Sequence, residues 1–477
     1  MVYDVAIVGA GVIGGMLSRE LSKYKLSVCL LEKENDIACG ASKANSGIVH
    51  GGYDPEPDTL KAKLNSVGVE KLFKAAKELN VPCINNGSMV CAFGADQDPA
   101  VTELYERGLK NGIKGLKVLS GDEAREIEPE LSKEVTSALL VTNAGIICPY
   151  EMTVASIGNA MDNGVELIRN FKVSSILKSD DIFTVSAENG QEIKTKYLVN
   201  CAGGYSDKIA KLVGDDYFEI IPRAGEYLLL DKTEGTRVSH TIFQVPTAEG
   251  KGILVSPTVD GNLLTGPTAN VVENPDSKET TNEGIKSVIN LAAKSVPAVG
   301  FRQVITSFTG VRSSEKNGDF IIEESHTSKG MIHVAAIDSP GLTCAAAIAE
   351  YTTDLLRTIG LATEEKPNWN GNRENPHAFR EMNDEEKNEY IKKHPQYGHI
   401  VCRCETVSEG EIRDAIRRNP PAYDVDGVKR RTRSGMGRCQ GGFCMPYVMR
   451  LISEEHGIPI TEVTKKGGKS KLVTGRI

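Results

Sequence analysis

The feature that most constrains this chain is a glycine turn that joins an apolar run to an amphipathic stretch. The run from Tyr3 to Val8 is short and rich in β-branched side chains, and Gly9, Gly11 and Gly14 follow it directly. The amphipathic stretch then continues to Lys23. This order predicts a strand, a tight turn and a helix whose N-terminus stabilises the phosphates of a dinucleotide.

Each glycine has a separate physical task in such a unit. Gly9 makes the turn, Gly11 lets the backbone approach the pyrophosphate, and Gly14 lets the helix pack against the strand. A second apolar run, residues 26–31, ends at Glu32. An acidic residue about 20 positions after the glycines meets a ribose hydroxyl in this kind of unit. The motif therefore predicts dinucleotide binding, but it does not distinguish FAD from NAD.

The next segment, residues 40–52, is rich in small and hydroxyl residues, which let an extended backbone lie beside a long cofactor. In Asn45-Ser46-Gly47 and the following His50-Gly51-Gly52, the chain resembles the FAD-dependent D-amino-acid-oxidase-like superfamily. The resemblance is to the branch that contains anaerobic glycerol-3-phosphate dehydrogenases and L-2-hydroxyglutarate dehydrogenases. It implies that the dinucleotide is FAD.

Two later segments support this resemblance. Residues 183–187 and 192–200, joined by Asn189-Gly190, predict a hairpin that leads into a second glycine motif. A helix of small residues is predicted for 344–356, and the family places its start against the flavin, where a helix N-terminus stabilises negative charge. The cofactor contacts that the motif and the resemblance imply are Gly9, Gly11, Ile13, Gly14, Glu32, Lys33, Ser42, Asn45, Ser46, Val173, Ala202, Gly203, Gly341, Leu342 and Thr343.

A small anionic substrate is expected over the flavin, where hydride transfer needs a base for the hydroxyl proton and cations for the anionic group. His50 is the candidate base, because it follows the flavin-facing segment and imidazole titrates near neutral pH. Arg312 is the candidate anion ligand by family resemblance. Arg223 and Tyr227 match another family stretch, and Lys251 lies in a strand-rich segment.

Four cysteines near the C-terminus are clustered. Cys402 and Cys404 form a C-x-C pair, and Cys439 and Cys444 form a C-x4-C pair after 34 intervening residues. Thiolates suit iron–sulfur clusters and zinc, but C-x-C departs from the common zinc spacing. The region resembles the bacterioferritin-associated-ferredoxin-like [2Fe–2S] domain, which implies that these four residues hold the cluster. A zinc site and unligated thiols are the alternatives.

A basic run, residues 429–438, precedes Cys439. Its cations would offset the negative charge of a cluster and tune its potential, or they would dock a partner. The sequence does not separate these two roles.

The expected fold class is α/β, with a Rossmann-like FAD-binding domain, an interleaved antiparallel-sheet substrate domain and a small C-terminal iron–sulfur domain. The FAD-binding domain is assigned to residues 1–75, 146–215 and 311–360, and the substrate domain to 76–145 and 216–310. A linker (361–398), the [2Fe–2S] domain (399–457) and a C-terminal tail (458–477) follow.

Composition excludes several classes of function. A net charge of −8 and a pI near 5.7 argue against nucleic-acid binding. The sequence has no apolar run of 18 residues, so no integral membrane segment is expected. It also shows no basic leader, so no signal peptide is expected. The other seven cysteines are expected to be reduced thiols, which favours a cytoplasmic protein.

Together these parts predict a dehydrogenase in which substrate hydride enters FAD and the cluster passes electrons singly to an external acceptor. The first hypothesis is oxidation of glycerol 3-phosphate to dihydroxyacetone phosphate. An L-2-hydroxyacid dehydrogenase, acting on 2-hydroxyglutarate, is the second, and an amine or amino-acid dehydrogenase is the third. From another class, the chain would be an electron-transfer subunit with a vestigial pocket. A second redox subunit or electron carrier is the expected partner, in a peripheral or hetero-oligomeric assembly.

Overall fold

The computed structural model describes residues 1–246 and 252–475. The strands, in chain order, are β1 (Val2–Val8), β2 (Val28–Leu31), β3 (Ile48–Val49), β4 (Cys83–Ile84), β5 (Ser88–Phe93), β6 (Leu116–Ser120), β7 (Val135–Val141), β8 (Gly145–Ile147), β9 (Glu166–Ile168), β10 (Val173–Ser179), β11 (Ile182–Ala187), β12 (Glu192–Asn200), β13 (Ile221–Leu230), β14 (Thr241–Gln244), β15 (Leu254–Pro257), β16 (Leu263–Gly266), β17 (Asn270–Val271), β18 (Val304–Ser314), β19 (Ile321–Glu324), β20 (Met331–Ala335), β21 (Ile400–Cys402) and β22 (Val407–Ser408). The α-helices are α1 (Val12–Leu21), α2 (Leu60–Glu78), α3 (Asp98–Lys110), α4 (Gly121–Ile127), α5 (Pro149–Asp162), α6 (Ser206–Lys211), α7 (Asn282–Ser295), α8 (Gly341–Thr358), α9 (Ala378–Glu381), α10 (Asp384–Lys393), α11 (Glu409–Arg417), α12 (Val425–Thr432) and α13 (Met445–His456).

The first sheet is the Rossmann-like sheet that the glycine motif predicts. Its order is β10-β11-β12-β1-β2-β9, with β20 on β12 and β19 on β20. Strand β1 is parallel to both β2 and β12, and helices α1, α5 and α8 pack together beside it. Because central parallel strands are covered on both faces, the run predicted as β1 is apolar throughout its second half. The predicted hairpin is confirmed as the antiparallel pair β11 and β12.

The second sheet is mostly antiparallel, as expected for the substrate domain. Its order is β17-β13-β16-β15-β14-β5-β7-β6, and β18 also pairs with β13. Only the β5–β14 pairing is parallel among the described strands of this sheet. Alternate residues of β5 enter two separate hydrophobic clusters, so both faces of the sheet are buried.

The C-terminal unit packs α11, α12, α13 and the β21–β22 hairpin around its own apolar core. Two predictions about its flanks need correction. The predicted tail is part of this core, because Val463 is fully buried there. The predicted linker contains the exposed helix α10, and its first half is held against the first sheet's helices: Trp369 donates to Ser22 Oγ (3.1 Å) and Arg373 to Asp162 Oδ2 (3.0 Å).

In the described part of the chain, none of the helices combines the length and apolar character needed to cross a membrane.

Candidate active site and metal centre

A cavity of about 1130 Å³ runs between the two large sheets. Most of the residues predicted from the sequence line it, and these are Gly9, Gly11, Ile13, Glu32, Lys33, Ser42, Asn45, Ser46, His50, Val173, Ala202, Gly203, Arg223, Tyr227, Arg312, Gly341 and Leu342. Gly14 and Thr343 lie outside the lining, and Lys251 lies outside the described residues. The structure thus brings together residues from both sheets at one continuous site.

The glycine turn forms one end of the cavity and leaves no room for side chains. Gly9 has φ +108°, and a Cβ atom there would lie 2.4 Å from the carbonyl oxygen of Cys201. A Cβ atom on Gly14 would lie 2.0 Å from the carbonyl oxygen of Gly9, which explains its packing role. The Val12 amide donates to Ser42 Oγ (2.8 Å) at the start of α1. This cradle and the size of the cavity fit a dinucleotide such as FAD.

Glu32 lies beside this turn at the end of β2. Its Oε2 accepts from the Ala10 amide (2.9 Å) and its Oε1 from the Glu34 amide (3.0 Å). The side chain is buried, and burial raises its pKa to about 7 against the effect of these two hydrogen bonds. The carboxyl group therefore holds the glycine turn in place and also faces the cavity.

His50 lies at the other end of the cavity, between β3 and α2. Its backbone amide donates to Thr343 Oγ1 (2.9 Å), and its carbonyl oxygen accepts from Asn65 Nδ2 (2.8 Å). Ser339 Oγ lies 3.2 Å from His50 Nε2. Thr343 was predicted as a cofactor contact, but its hydroxyl points into the protein and fixes the His50 backbone instead. The start of α8 thus positions the histidine.

A cationic wall faces this end of the cavity. Arg223 on β13 and Arg312 on β18 are directly opposite each other in the antiparallel pairing, so both side chains are on the same face. Arg312 Nη1 lies 3.5 Å from the Thr268 carbonyl oxygen. Tyr227 stacks on Phe308 with ring centroids 4.8 Å apart. Two guanidinium groups on one wall can bind a phosphate or a carboxylate.

Lys61 and Asp338 also line the cavity, and the sequence analysis missed both. Lys61 Nζ lies 2.5 Å from Asp338 Oδ1, and the Ser314 hydroxyl donates to Asp338 Oδ2 (3.0 Å). Asp338 lies three residues before the start of α8, close to the predicted flavin helix, which was a usable signal. Lys61 lies on α2 in a stretch with no motif, so no sequence signal pointed to it.

The four C-terminal thiols lie near one another, and their strongest contacts are within two pairs. Cys402 lies in hydrogen-bonding contact with Cys444, and Cys404 with Cys439. The hydrogen bond from Cys444 lowers the pKa of the Cys402 thiol below its usual range. Within the described ranges, no group of three or more His, Cys, Asp or Glu side chains surrounds a single point. Two thiol pairs fit a cluster of two iron ions, each with two thiolates.

The basic run before Cys439 joins the C-terminal unit to the rest of the protein. Asp36, which is fully buried in the loop after β2, accepts from Arg430 Nη2 (2.5 Å) and from Arg431 Nη1 and Nη2 (both 2.8 Å). Burial opposes ionisation, but the two guanidinium groups hold the pKa of Asp36 well below its usual range. This intramolecular role differs from both roles considered for the run.

A second contact of the run reaches the substrate domain. Arg433 donates to Glu405 Oε2 (2.9 Å) next to the cysteines and to Asp260 Oδ2 (2.5 Å) of the second sheet. It also contacts Tyr150, whose hydroxyl lies 3.4 Å from Met436 Sδ. The cysteine loop therefore contacts both α5 and the turn between β15 and β16.

Comparison with known proteins agrees with this architecture. Residues 4–355 match the family model described as FAD dependent oxidoreductase, and residues 400–454 match the BFD-like [2Fe-2S] binding domain. The chain is 46% identical to the glycerol 3-phosphate dehydrogenase of Caloramator mitchellensis over 473 residues, which cover 99% of this chain and 98% of the relative. It is 28% identical to the mitochondrial L-2-hydroxyglutarate dehydrogenase of Nematostella vectensis, over 74% of this chain and 90% of that one.

A solved structure has the same fold. The FAD-bound, dithionite-reduced L-alpha-glycerophosphate oxidase of Mycoplasma pneumoniae superposes with a TM-score of 0.75 at 32% identity, over 78% of this chain and 98% of that chain. The matched families account for the cavity and for the paired thiols. The chain therefore belongs to the FAD dependent oxidoreductase family and carries a BFD-like [2Fe-2S] binding domain at its C-terminal end.

Proposed function

We propose that this protein is an FAD-dependent dehydrogenase that oxidises sn-glycerol 3-phosphate to dihydroxyacetone phosphate. Electrons then pass through the [2Fe–2S] cluster to an external acceptor. The observation that carries the proposal is the 46% identity to a glycerol 3-phosphate dehydrogenase over 473 residues, a match that includes the C-terminal unit. The paired Arg223 and Arg312 on the cavity wall supply the cations that a phosphate ester needs.

The residues that would hold FAD are those of the glycine turn, Glu32, Ser42 and the start of α8. Bound there, FAD supplies a two-electron acceptor for a hydride from the substrate carbon. The N-terminus of α8 carries positive potential from its aligned peptide dipoles, which stabilises negative charge that develops beside it. The protein's own contribution is thus position, electrostatics and the exclusion of water.

The substrate residues divide the remaining work. Arg312 and Arg223 bind the phosphate and orient the secondary alcohol. His50 takes the hydroxyl proton, and its place is fixed by Thr343 Oγ1 and Asn65. The alternative, an L-2-hydroxyacid, would use the same arginines for its carboxylate.

The acceptor is proposed to be a second redox subunit or an electron carrier, in a peripheral or hetero-oligomeric assembly. The proposed location is the cytoplasm, supported by the eleven cysteines, none of which forms a disulfide within the described residues. Fractionation of cells of the source organism tests the location.

Anaerobic titration of the purified protein tests the substrate. Glycerol 3-phosphate is expected to bleach the flavin absorbance, and L-2-hydroxyglutarate is expected to leave it unchanged. Bleaching by L-2-hydroxyglutarate alone would move the protein to the hydroxyacid branch. Bleaching by neither compound, nor by amino acids, would favour an electron-transfer subunit with a vestigial pocket.

Arg312→Ala is expected to lower kcat/KM for glycerol 3-phosphate by about 100-fold, because a charged partner of the phosphate is lost inside the cavity. Arg312→Lys keeps the charge but loses the paired hydrogen bonds, so an intermediate loss is expected. Arg302→Ala, at an exposed position, is the matched control. Steady-state kinetics and FAD content are measured together. Equal kcat/KM in all three variants contradicts the anion-binding role.

FAD retention is expected to depend on pH through Glu32. Because burial raises its pKa to about 7, the carboxyl group is protonated in acid, and a ribose hydroxyl donates best to the ionised form. Affinity should fall by up to about tenfold per pH unit below 7 and level off above it. The same raised pKa makes the cofactor-free fold less stable as pH rises from the ordinary glutamate pKa of 4.5 through 7.

The measurement is the fraction of FAD that stays bound after dilution at each pH. Glu32→Gln is expected to remove the pH dependence between 6 and 8 (about one unit either side of the Glu32 pKa). An unchanged slope in this variant would show that another group titrates.

A further inference from the structure

We propose that the outer edge of the cysteine site is the docking surface for a small acidic protein that carries one electron. The surface is formed by Arg403, Cys404, Arg438 and Phe443, and we name it the outer cysteine face. The inference rests on the proposed function, since it identifies the class of acceptor for the electrons that leave the substrate.

The two thiol pairs differ in their exposure. Cys402 and Cys444 are buried in the core of the C-terminal unit, whereas Cys404 is exposed and Cys439 is partly exposed. A group held by the four thiols therefore approaches solvent only on the Cys404–Cys439 side. Since electron transfer between proteins needs close approach, a partner has to cover this side.

Phe443 stands on the same edge, between Cys439 and Cys444, and is 88% exposed. The turn that carries it is fixed: Gln440 Nε2 donates to the carbonyl oxygens of Met436 and Gly437 (both 3.0 Å), and the Gly442 amide donates to Cys439 O (3.0 Å). Exposed aromatic side chains on rigid segments are the usual anchors of protein interfaces. The exposure of Phe443 therefore results from the fixed conformation of the cysteine turn and not from a flexible segment.

The charge around Phe443 is positive, although the whole chain carries −8. Arg403 is exposed and forms no ion pair within the described part of the chain. Arg438 is 64% exposed, and its Nε and Nη2 pair with the two carboxylate oxygens of Asp231. The neighbouring acid, Glu405, is buried and neutralised by Arg433. A positive edge around an apolar anchor selects an acidic partner and accelerates its approach.

The stoichiometry of the reaction fits a one-electron carrier. Oxidation of the secondary alcohol releases two electrons and two protons. Two oxidised carrier molecules dock at this face in turn, each leaves with one electron, and the protons pass to solvent. A second copy of this chain, also acidic overall, is the competing occupant.

Binding is tested with a purified acidic plant-type ferredoxin as the probe and with basic cytochrome c as the opposite charge. The holoprotein is expected to bind ferredoxin more weakly as salt rises and not to bind cytochrome c. Arg403→Glu should weaken ferredoxin binding by about tenfold or more, and Phe443→Ala should also weaken it. The matched controls are Lys74→Glu and Leu177→Ala, an exposed lysine and an exposed apolar residue of the FAD-binding part.

Iron content, flavin bleaching by glycerol 3-phosphate and dimer formation are measured on each variant. The inference is supported if only Arg403→Glu and Phe443→Ala bind ferredoxin more weakly while their iron and flavin contents are unchanged. This conclusion holds even if glycerol 3-phosphate fails to bleach the flavin. Equal binding by all variants, binding of cytochrome c, or no ferredoxin binding at low salt overturns it. If the protein self-associates and Phe443→Ala abolishes that self-association, the inference is overturned and the occupant of the face is a second copy of this chain.

Discussion

Replacing Asp36 by alanine is expected to release the C-terminal unit from the FAD-binding part and to destabilise the protein by about 3–5 kcal/mol. The reason is that the variant leaves Arg430 and Arg431 buried without their carboxylate partner. Thermal unfolding and hydrogen exchange of α12 measure the effect. The matched control is Asp426→Ala on α12, the helix that carries the two arginines. It breaks only a partly exposed pair with Lys465 and should cost about 1 kcal/mol or less.

The pH dependence of this contact distinguishes it from a surface ion pair. Because the folded-state pKa of Asp36 lies far below its unfolded value, its stabilisation is complete above that unfolded value of about 3.9 and is lost only as pH falls further through the folded pKa. The C-terminal unit should therefore stay docked in mild acid. Undocking at about pH 5, or equal stability of the Asp36 and Asp426 variants, is incompatible with this account.

Replacing Cys404 by serine is expected to remove nearly all the iron from the protein while leaving FAD bound. Cys404 is exposed, so its loss costs little packing, but a thiolate ligand is lost. Iron analysis and the visible spectrum are the measurements, and Cys83→Ser, at a cysteine far from the cluster in sequence, is the control. Zinc in place of iron in the native protein, or full iron content in Cys404→Ser, would falsify the proposed ligand set.

Local signals in the sequence were sufficient for the parts that depend on neighbouring residues. The turn from Gly9 to Gly14, the β11–β12 hairpin and the cysteine spacing each follow from short-range geometry, and the structure or the family comparison confirms each of them. The strand-like runs of the second sheet were also recognisable in the sequence, and the structure confirms that most of their pairings are antiparallel.

Contacts between distant segments were not predictable from one sequence. Asp36 and Arg431 are 395 positions apart, and neither belongs to a motif that suggests a pair. The basic run was therefore interpreted through the nearby cysteines, although its first arginines face a carboxylate in another domain. Val463 likewise appeared to lie in a polar tail, because only the folded unit reveals the apolar core that it completes.

The central claim is that electrons from the substrate reach the cluster through FAD within this one chain. The most direct test is low-temperature electron paramagnetic resonance of the anaerobic protein after addition of glycerol 3-phosphate. We expect the signal of a reduced [2Fe–2S] cluster in the native protein and its absence in Cys404→Ser, whose flavin still bleaches. The contradicting result would be a native protein in which glycerol 3-phosphate bleaches the flavin but leaves the cluster oxidised, while dithionite does reduce that cluster.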